Sequence, residues 1–212
     1  MSLIICEIFQ SIQGESSHAG WPCVFVRVSG CNLRCRWCDT TYAYEGGTQM
    51  SAEDVVEQID SFGACRIEFT GGEPLLQSEV VLLASQLASS GRTVLVETNG
   101  SLDISVLDPK VIAIMDIKGP SSGMAEHVDL TNLLRLRGHD EVKFVIGHRD
   151  DYAHMLKILP HIDTRRNIVN VSPLFNEMST ADLAKWILED RLELRLNLQQ
   201  HKYIWSPDKR GV

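Results

Sequence analysis

Three cysteines lie within eight residues in the run G-C-N-L-R-C-R-W-C-D-T at 30–40. Cys31, Cys35 and Cys38 are spaced Cys-x3-Cys-x2-Cys. Thiolates this close can wrap one corner of a cubane 4Fe–4S cluster, a type normally held by four cysteines. With three, one iron keeps an open position for an outside ligand, as a catalytic metal requires. The alternative is structural zinc, with Cys6, Cys23 or Cys65 as the fourth sulfur. Structural zinc usually brings a second cysteine knuckle or a histidine pair, and neither is visible. Cys6, Cys23 and Cys65 lie in or beside strand-like runs and read as buried free thiols.

A second candidate is F-T-G-G-E-P at 69–74. Paired glycines allow a close backbone approach and unusual dihedral angles. Glu73 could accept from a ligand ammonium or cap the helix that follows.

These groups need strands to hold them. Apolar, β-branched-rich runs bounded by turn residues occur at 22–30, 65–71, 93–100, 111–119, 141–147 and 167–173. Their near-continuous apolar character suits parallel strands covered on both faces. Helical patterns fill several gaps. Ser51 can cap 52–62 with Asp54 near the third position. Pro74 opens a helix that closes at Gly91. A third helix starts at Asp150 or Asp151 and ends before Pro160. Ser179 or Thr180 caps a fourth. The expectation is an α/β fold, a reduced, incomplete (β/α) barrel of about six parallel strands, shorter than the ~250 residues of a full barrel. Active sites in such folds sit at the C-terminal strand ends. The polar residues there are Cys31, Thr70, Gly72, Glu97, Asn99, Asp116, Lys118 and Ser172.

A formal net charge of -8 argues against a broad nucleic-acid-binding face. No apolar run approaches the ~20 residues that cross a bilayer, and the N-terminal run lacks the marks of a signal peptide. The expected compartment is the cytoplasm, where six cysteines point to metal or redox chemistry before disulfides.

The cysteine spacing after the first such strand, followed by Gly-Gly-Glu-Pro, resembles the radical S-adenosylmethionine (SAM) superfamily. A finer resemblance spans nearly the whole chain. EIFQSIQGE (7–15), F-x-R (25–27), CNLRC-x-WCDT (31–40), TGGEP (70–74), ETNG (97–100), DIKGP (116–120) and HKYIW-x-P (201–207) look like the 7-carboxy-7-deazaguanine synthase family. The resemblance implies ring contraction of 6-carboxy-5,6,7,8-tetrahydropterin to 7-carboxy-7-deazaguanine with release of ammonia, in queuosine biosynthesis. It implies a 4Fe–4S cluster, SAM and Mg²⁺, a flavodoxin or ferredoxin-type electron donor, and a homodimer. A single domain is expected, with its core at about 22–173, a substrate-binding segment at 1–21 and a C-terminal segment at 194–212. A radical SAM activase of a glycyl-radical enzyme is the rival reading.

By the same resemblance, Ile12, Gln13 and Gly14 form a substrate-binding turn. Arg27 offers a guanidinium fork to the substrate carboxylate, or else forms an internal ion pair. Thr70 and Pro207 would also reach the substrate, and Glu15 could meet the pterin's guanidine-like edge. Thr40 would ligate Mg²⁺. Trp37, Cys38, Asp39, Gly72, Asp116, Ile117 and Lys118 would line SAM, and Ser172, Pro173, Leu174 and Phe175 would approach its adenosine. Ser172 departs from the glutamine common in the family. The chain also continues past Pro207 as DKRGV, where some relatives end. His201 would lie near the pocket or serve as a core histidine.

Overall fold

The computed structural model describes Met1 to Val212. In chain order it contains β1 (Ser2–Ile12), β2 (Pro22–Val28), β3 (Thr48–Ser51), α1 (Ala52–Ser61), β4 (Arg66–Gly71), α2 (Ser78–Ser89) and β5 (Thr93–Thr98). Then come β6 (Ile112–Ile117), β7 (Glu141–Ile146), α3 (Arg149–Ile158), β8 (Ile168–Pro173), α4 (Thr180–Glu189), β9 (Arg195–Leu196) and α5 (His201–Ile204). All six strands expected from the sequence are present.

The strands form one sheet in the order β3-β1-β2-β4-β5-β6-β7-β8-β9. From β2 to β9 every pairing is parallel, while β1 runs antiparallel to β2 and β3. The linear order leaves β3 and β9 as edges, so the barrel is open. Residues 1–21 supply a long strand, β1, as well as the loop that follows it.

The expectation that both sheet faces are apolar is corrected. One face is apolar: Val24, Val26, Ile67, Phe69, Val94 and Val96 pack under α1 and α2. Further along, Met115, Val142, Phe144, Ile146 and Val171 pack under α3 and α4. The opposite face carries Arg27, Glu68, Thr70, Glu97, Asp116 and Lys143, which line a cavity. Side chains alternate across a strand, so one polar residue in two puts all the polarity on one side.

Ser51 caps α1 as expected, with Asp54 completing a capping box. Ser179 caps α4 by accepting from the Asp182 amide. The helix expected from Pro74 is interrupted. A 3-10 turn at Pro74–Leu76 ends at Gln77, which is extended, and α2 begins at Ser78. The reason lies in the Gln77 side chain. It accepts from the Ile4 amide at 2.8 Å and donates to the Ile4 and Ser29 carbonyls at 3.1 and 3.0 Å. A glutamine tying β1 to the end of β2 cannot also follow the helical path. α3 begins at Arg149, and Asp151 accepts from the Gly147 and His148 amides inside its first turn.

Candidate active site

The three-cysteine loop leaves β2 through Gly30, whose φ of +97° favours glycine. The Gly-Gly-Glu-Pro turn packs directly on this exit. Gly72 donates to the Val28 carbonyl at 3.1 Å and Glu73 to the Gly30 carbonyl at 2.7 Å. A Cβ on Gly72 would stand 1.8 Å from the Gly30 carbonyl oxygen, so no side chain fits. The two motifs are one structural unit.

Within the loop, Arg34 donates to the Cys31 and Leu33 carbonyls at 2.7 and 2.8 Å. Trp37 donates through Nε1 to Ser121 Oγ at 3.0 Å. The Leu33 amide points at Cys31 Sγ, 3.5 Å away. Cys31, Cys35 and Cys38 are free, half-buried and on the wall of one cavity of about 510 Å³. Burial raises the Cys31 thiol and pushes Cys35 up to about 11. A coordinated metal deprotonates such a thiol outright. No three His, Cys, Asp or Glu side chains are drawn around a single point as in a closed metal centre. Instead, three thiols share one loop, with an amide directed at a sulfur and open space in front of them. This donor set fits a three-cysteine 4Fe–4S cluster.

Cys6, Cys23 and Cys65 do not line the cavity. Cys23 is buried as expected, but Cys6 is half-buried and Cys65 exposed. Cys65 immediately precedes β4.

Glu73 resolves toward capping. It is fully buried and accepts from the Leu75 and Asn99 amides and from Thr98 Oγ1 at 2.7–3.0 Å. Its carboxylate is therefore committed to joining the turn to β5.

On the side expected for SAM, Trp37, Cys38, Asp39, Gly72, Asp116 and Lys118 all reach the cavity. Lys118 Nζ pairs with Asp116 Oδ2 at 2.9 Å and lies 5.2 Å from the Trp37 ring centroid. The Ile117 side chain is buried in the core under α3, because it alternates away from Asp116, which leaves only its backbone toward the cavity side. Leu174 alone of 172–175 lines the cavity. Ser172 and Pro173 are buried, and Ser172 Oγ accepts from Asn197 at 2.9 Å. Phe175 packs edge-on against Tyr203.

On the side expected for substrate, Ile12, Gln13, Gly14, Arg27, Thr70 and Pro207 share the same cavity. Gln13 donates to the Glu68 carboxyl and accepts from the Glu15 amide at 2.6 Å, so its side chain braces the turn. Arg27 pairs through Nε with Glu7 at 2.7 Å, the internal partner anticipated as its alternative. This contact uses one nitrogen of the fork. Thr70 donates to Glu97 at 3.0 Å. Phe9 and Phe25 stack at 5.1 Å and give the cavity an aromatic wall. Thr40 donates to Asp39 Oδ1 at 3.0 Å, and Asp39 Oδ2 accepts from Lys202 at 2.9 Å. Desolvation pushes Asp39 up, but Lys202 and the Thr40 hydroxyl outweigh it and hold the carboxyl at about 2. His201 reaches the cavity and packs where a Cβ on Gly14 would be, 2.3 Å from its Nδ1.

Lys143 was missed by sequence reading. Its ammonium lies 2.6 Å from Glu15, 2.7 Å from Glu97 and 3.6 Å from Asp116. It therefore joins the side expected for substrate to the side expected for SAM. Desolvation opposes its charge, but the three carboxylates raise it well above its usual value. Glu15 and Asp116 are desolvated too, yet the lysines hold both below the ordinary carboxyl range. For Glu68 the balance is reversed: burial, Glu97 and Glu15 drive it well upward and outweigh the Gln13 hydrogen bond and Lys143. A signal was present, since Glu141 and Lys143 are polar at alternate positions of an otherwise apolar strand.

The Radical SAM superfamily profile matches residues 25–119, which hold both motifs. This chain is a radical SAM enzyme. It is 47% identical to the 7-carboxy-7-deazaguanine synthase of Chlorobaculum tepidum, over 99% of this chain and 97% of the relative. It is 40% identical to that of Koribacter versatilis, over 98% and 99%. A crystal structure of QueE from Escherichia coli superposes with a TM-score of 0.79 at 24% identity, over 95% of each chain. The chain belongs to the 7-carboxy-7-deazaguanine synthase family.

Proposed function

We infer that this chain converts 6-carboxy-5,6,7,8-tetrahydropterin to 7-carboxy-7-deazaguanine, releasing ammonia, as a radical SAM lyase of 7-deazapurine biosynthesis. The observation that carries this reading is the single cavity shared by the three thiols and Arg27. Full-length relatives named for the same reaction support it over the activase reading.

Cys31, Cys35 and Cys38 would hold the cluster, and Trp37, Asp39, Gly72, Asp116, Lys118 and Leu174 would surround SAM. When bound, the two supply a 5′-deoxyadenosyl radical. The chain's own groups position and shield. Lys118 is a buried ammonium suited to the SAM carboxylate. The free nitrogens of Arg27 suit the substrate carboxylate. Glu15, kept ionised by Lys143, suits the guanidine-like edge of the pterin. Phe9, Phe25 and Leu174 exclude water.

Mg²⁺ belongs to the proposal as well. Thr40 lines the same cavity, and Mg²⁺ takes few protein ligands alongside water and substrate oxygens. The proposal also includes a flavodoxin or ferredoxin-type donor, a homodimer, a cytoplasmic setting, and one domain with its core at about 22–173, a substrate-binding segment at 1–21 and a C-terminal segment at 194–212. No helix is long and apolar enough to cross a membrane.

The test is anaerobic reconstitution with iron and sulfide, then incubation with SAM, a reductant, Mg²⁺ and carboxytetrahydropterin. Ammonia and 7-carboxy-7-deazaguanine are expected in equal amounts. SAM cleavage with the pterin returned unchanged overturns the reading.

A further inference from the structure

The residues after the HKYIW run are largely exposed, yet they lie along the mouth of the cavity. Pro207, Asp208, Lys209, Arg210, Gly211 and Val212 all line the cavity. The path is built by the preceding segment. The Gln200 amide donates to the Gly14 carbonyl at 2.9 Å, Gln199 donates to Glu15 at 2.8 Å, and Lys202 pairs with Asp39 at 2.9 Å. A turn closed by the Lys209 amide on the Ser206 carbonyl, at 3.0 Å, then bends the chain back over the opening.

This path brings Arg210 Cζ to 3.7 Å from the ring centroid of Tyr42. The Tyr42 hydroxyl donates to Glu7 Oε1 at 2.9 Å, the same oxygen that accepts from Arg27 Nε at 2.7 Å. Arg27 Cζ is also over that ring, at 5.8 Å. Two guanidiniums thus share one aromatic platform, and Glu7 is hydrogen-bonded to Arg27 and to Tyr42 but not to Arg210. The pair retains an excess positive charge. A guanidinium against an aromatic face keeps its edge donors for an anion. Arg210 spends none of its donors on a carboxylate of this chain, and Arg27 spends only Nε.

We propose that Arg210 is a substrate-positioning residue, forming with Arg27 a two-guanidinium site that takes the anionic substituent of the substrate. The identity of that substituent as a pterin carboxylate rests on the proposed function. The site itself follows from the two arginines and Tyr42.

The test compares 6-carboxypterin with pterin, which lacks the carboxylate, binding to the reconstituted enzyme in the presence of SAM. Arg210→Gln is expected to weaken 6-carboxypterin about tenfold, the scale of a lost charge-assisted hydrogen bond. Pterin binding stays as in the wild type. Arg210→Lys, which keeps the charge but loses the fork, falls between. Equal weakening of both ligands makes the tail a cover without a carboxylate contact and overturns the proposal. So does an unchanged affinity for both. A wild-type enzyme that binds neither ligand refutes the pterin reading instead, a distinct outcome visible before any variant is made.

Discussion

Lys143 Nζ stands 2.6 Å from Glu15 Oε2, an ammonium from β7 meeting a carboxylate from the loop after β1. Glu97 and Asp116 crowd the same ammonium, and its side chain is only 7% exposed. Replacing Lys143 by glutamine leaves the half-buried Glu15 and Glu97 without their cation, while Asp116 keeps Lys118. Breaking a buried charge pair costs about 3–5 kcal/mol. The Lys143→Gln variant should lose stability on that scale in urea unfolding, and its affinity for the pterin should fall with it. Unchanged stability would show that water, not Lys143, balances these carboxylates.

Only Cys31, Cys35 and Cys38 line the cavity among the six cysteines. Alanine at any of the three should abolish retention of the cluster, read as iron and sulfide per chain, and with it SAM cleavage. Cys65→Ala, at an exposed position, should retain full iron and full turnover.

Gly72→Ala should act on the cluster loop without touching a ligand. Its Cβ would lie 1.8 Å from the Gly30 carbonyl, so the turn and the loop must separate. Overpacking against backbone should cost about 3 kcal/mol or more. Thermal unfolding and iron content should fall together.

Glu68 gives a pH dependence of definite sign. Burial, then Glu97 and Glu15, raise its pKa well above the ordinary range, so the folded chain holds a proton that the unfolded chain releases. Its contribution to stability is full below the ordinary carboxyl pKa and is lost as pH rises through the elevated folded value. Glu68→Gln keeps a neutral group beside Gln13 and removes that loss. The melting temperature of the variant should decline less than that of the wild type between neutral and alkaline pH.

Much of the site was legible because its signals are local. The cysteine spacing, the glycine pair, the six strands and the Ser51 and Ser179 caps each depend on residues a few positions apart. Glu73 was not settled by its motif, since its carboxylate is consumed by Thr98 and Asn99 on another strand. For Ile117, a motif read as a string leaves out the alternation of a strand, which turns its side chain away from Asp116 into the core, whereas the Ser172 hydroxyl is taken by Asn197, a residue distant in sequence.

By itself, then, the sequence determined the chemistry on offer and the strands that carry it, because backbone preference and ligand spacing are short-range. Only the tertiary structure decided which groups meet. Sheet register sets Asp116 beside Lys143 and Arg27 beside Thr70. The return of the chain brings Arg210 to Tyr42 across most of the sequence. Such pairings follow from the packing of the whole chain, and no local pattern encodes them.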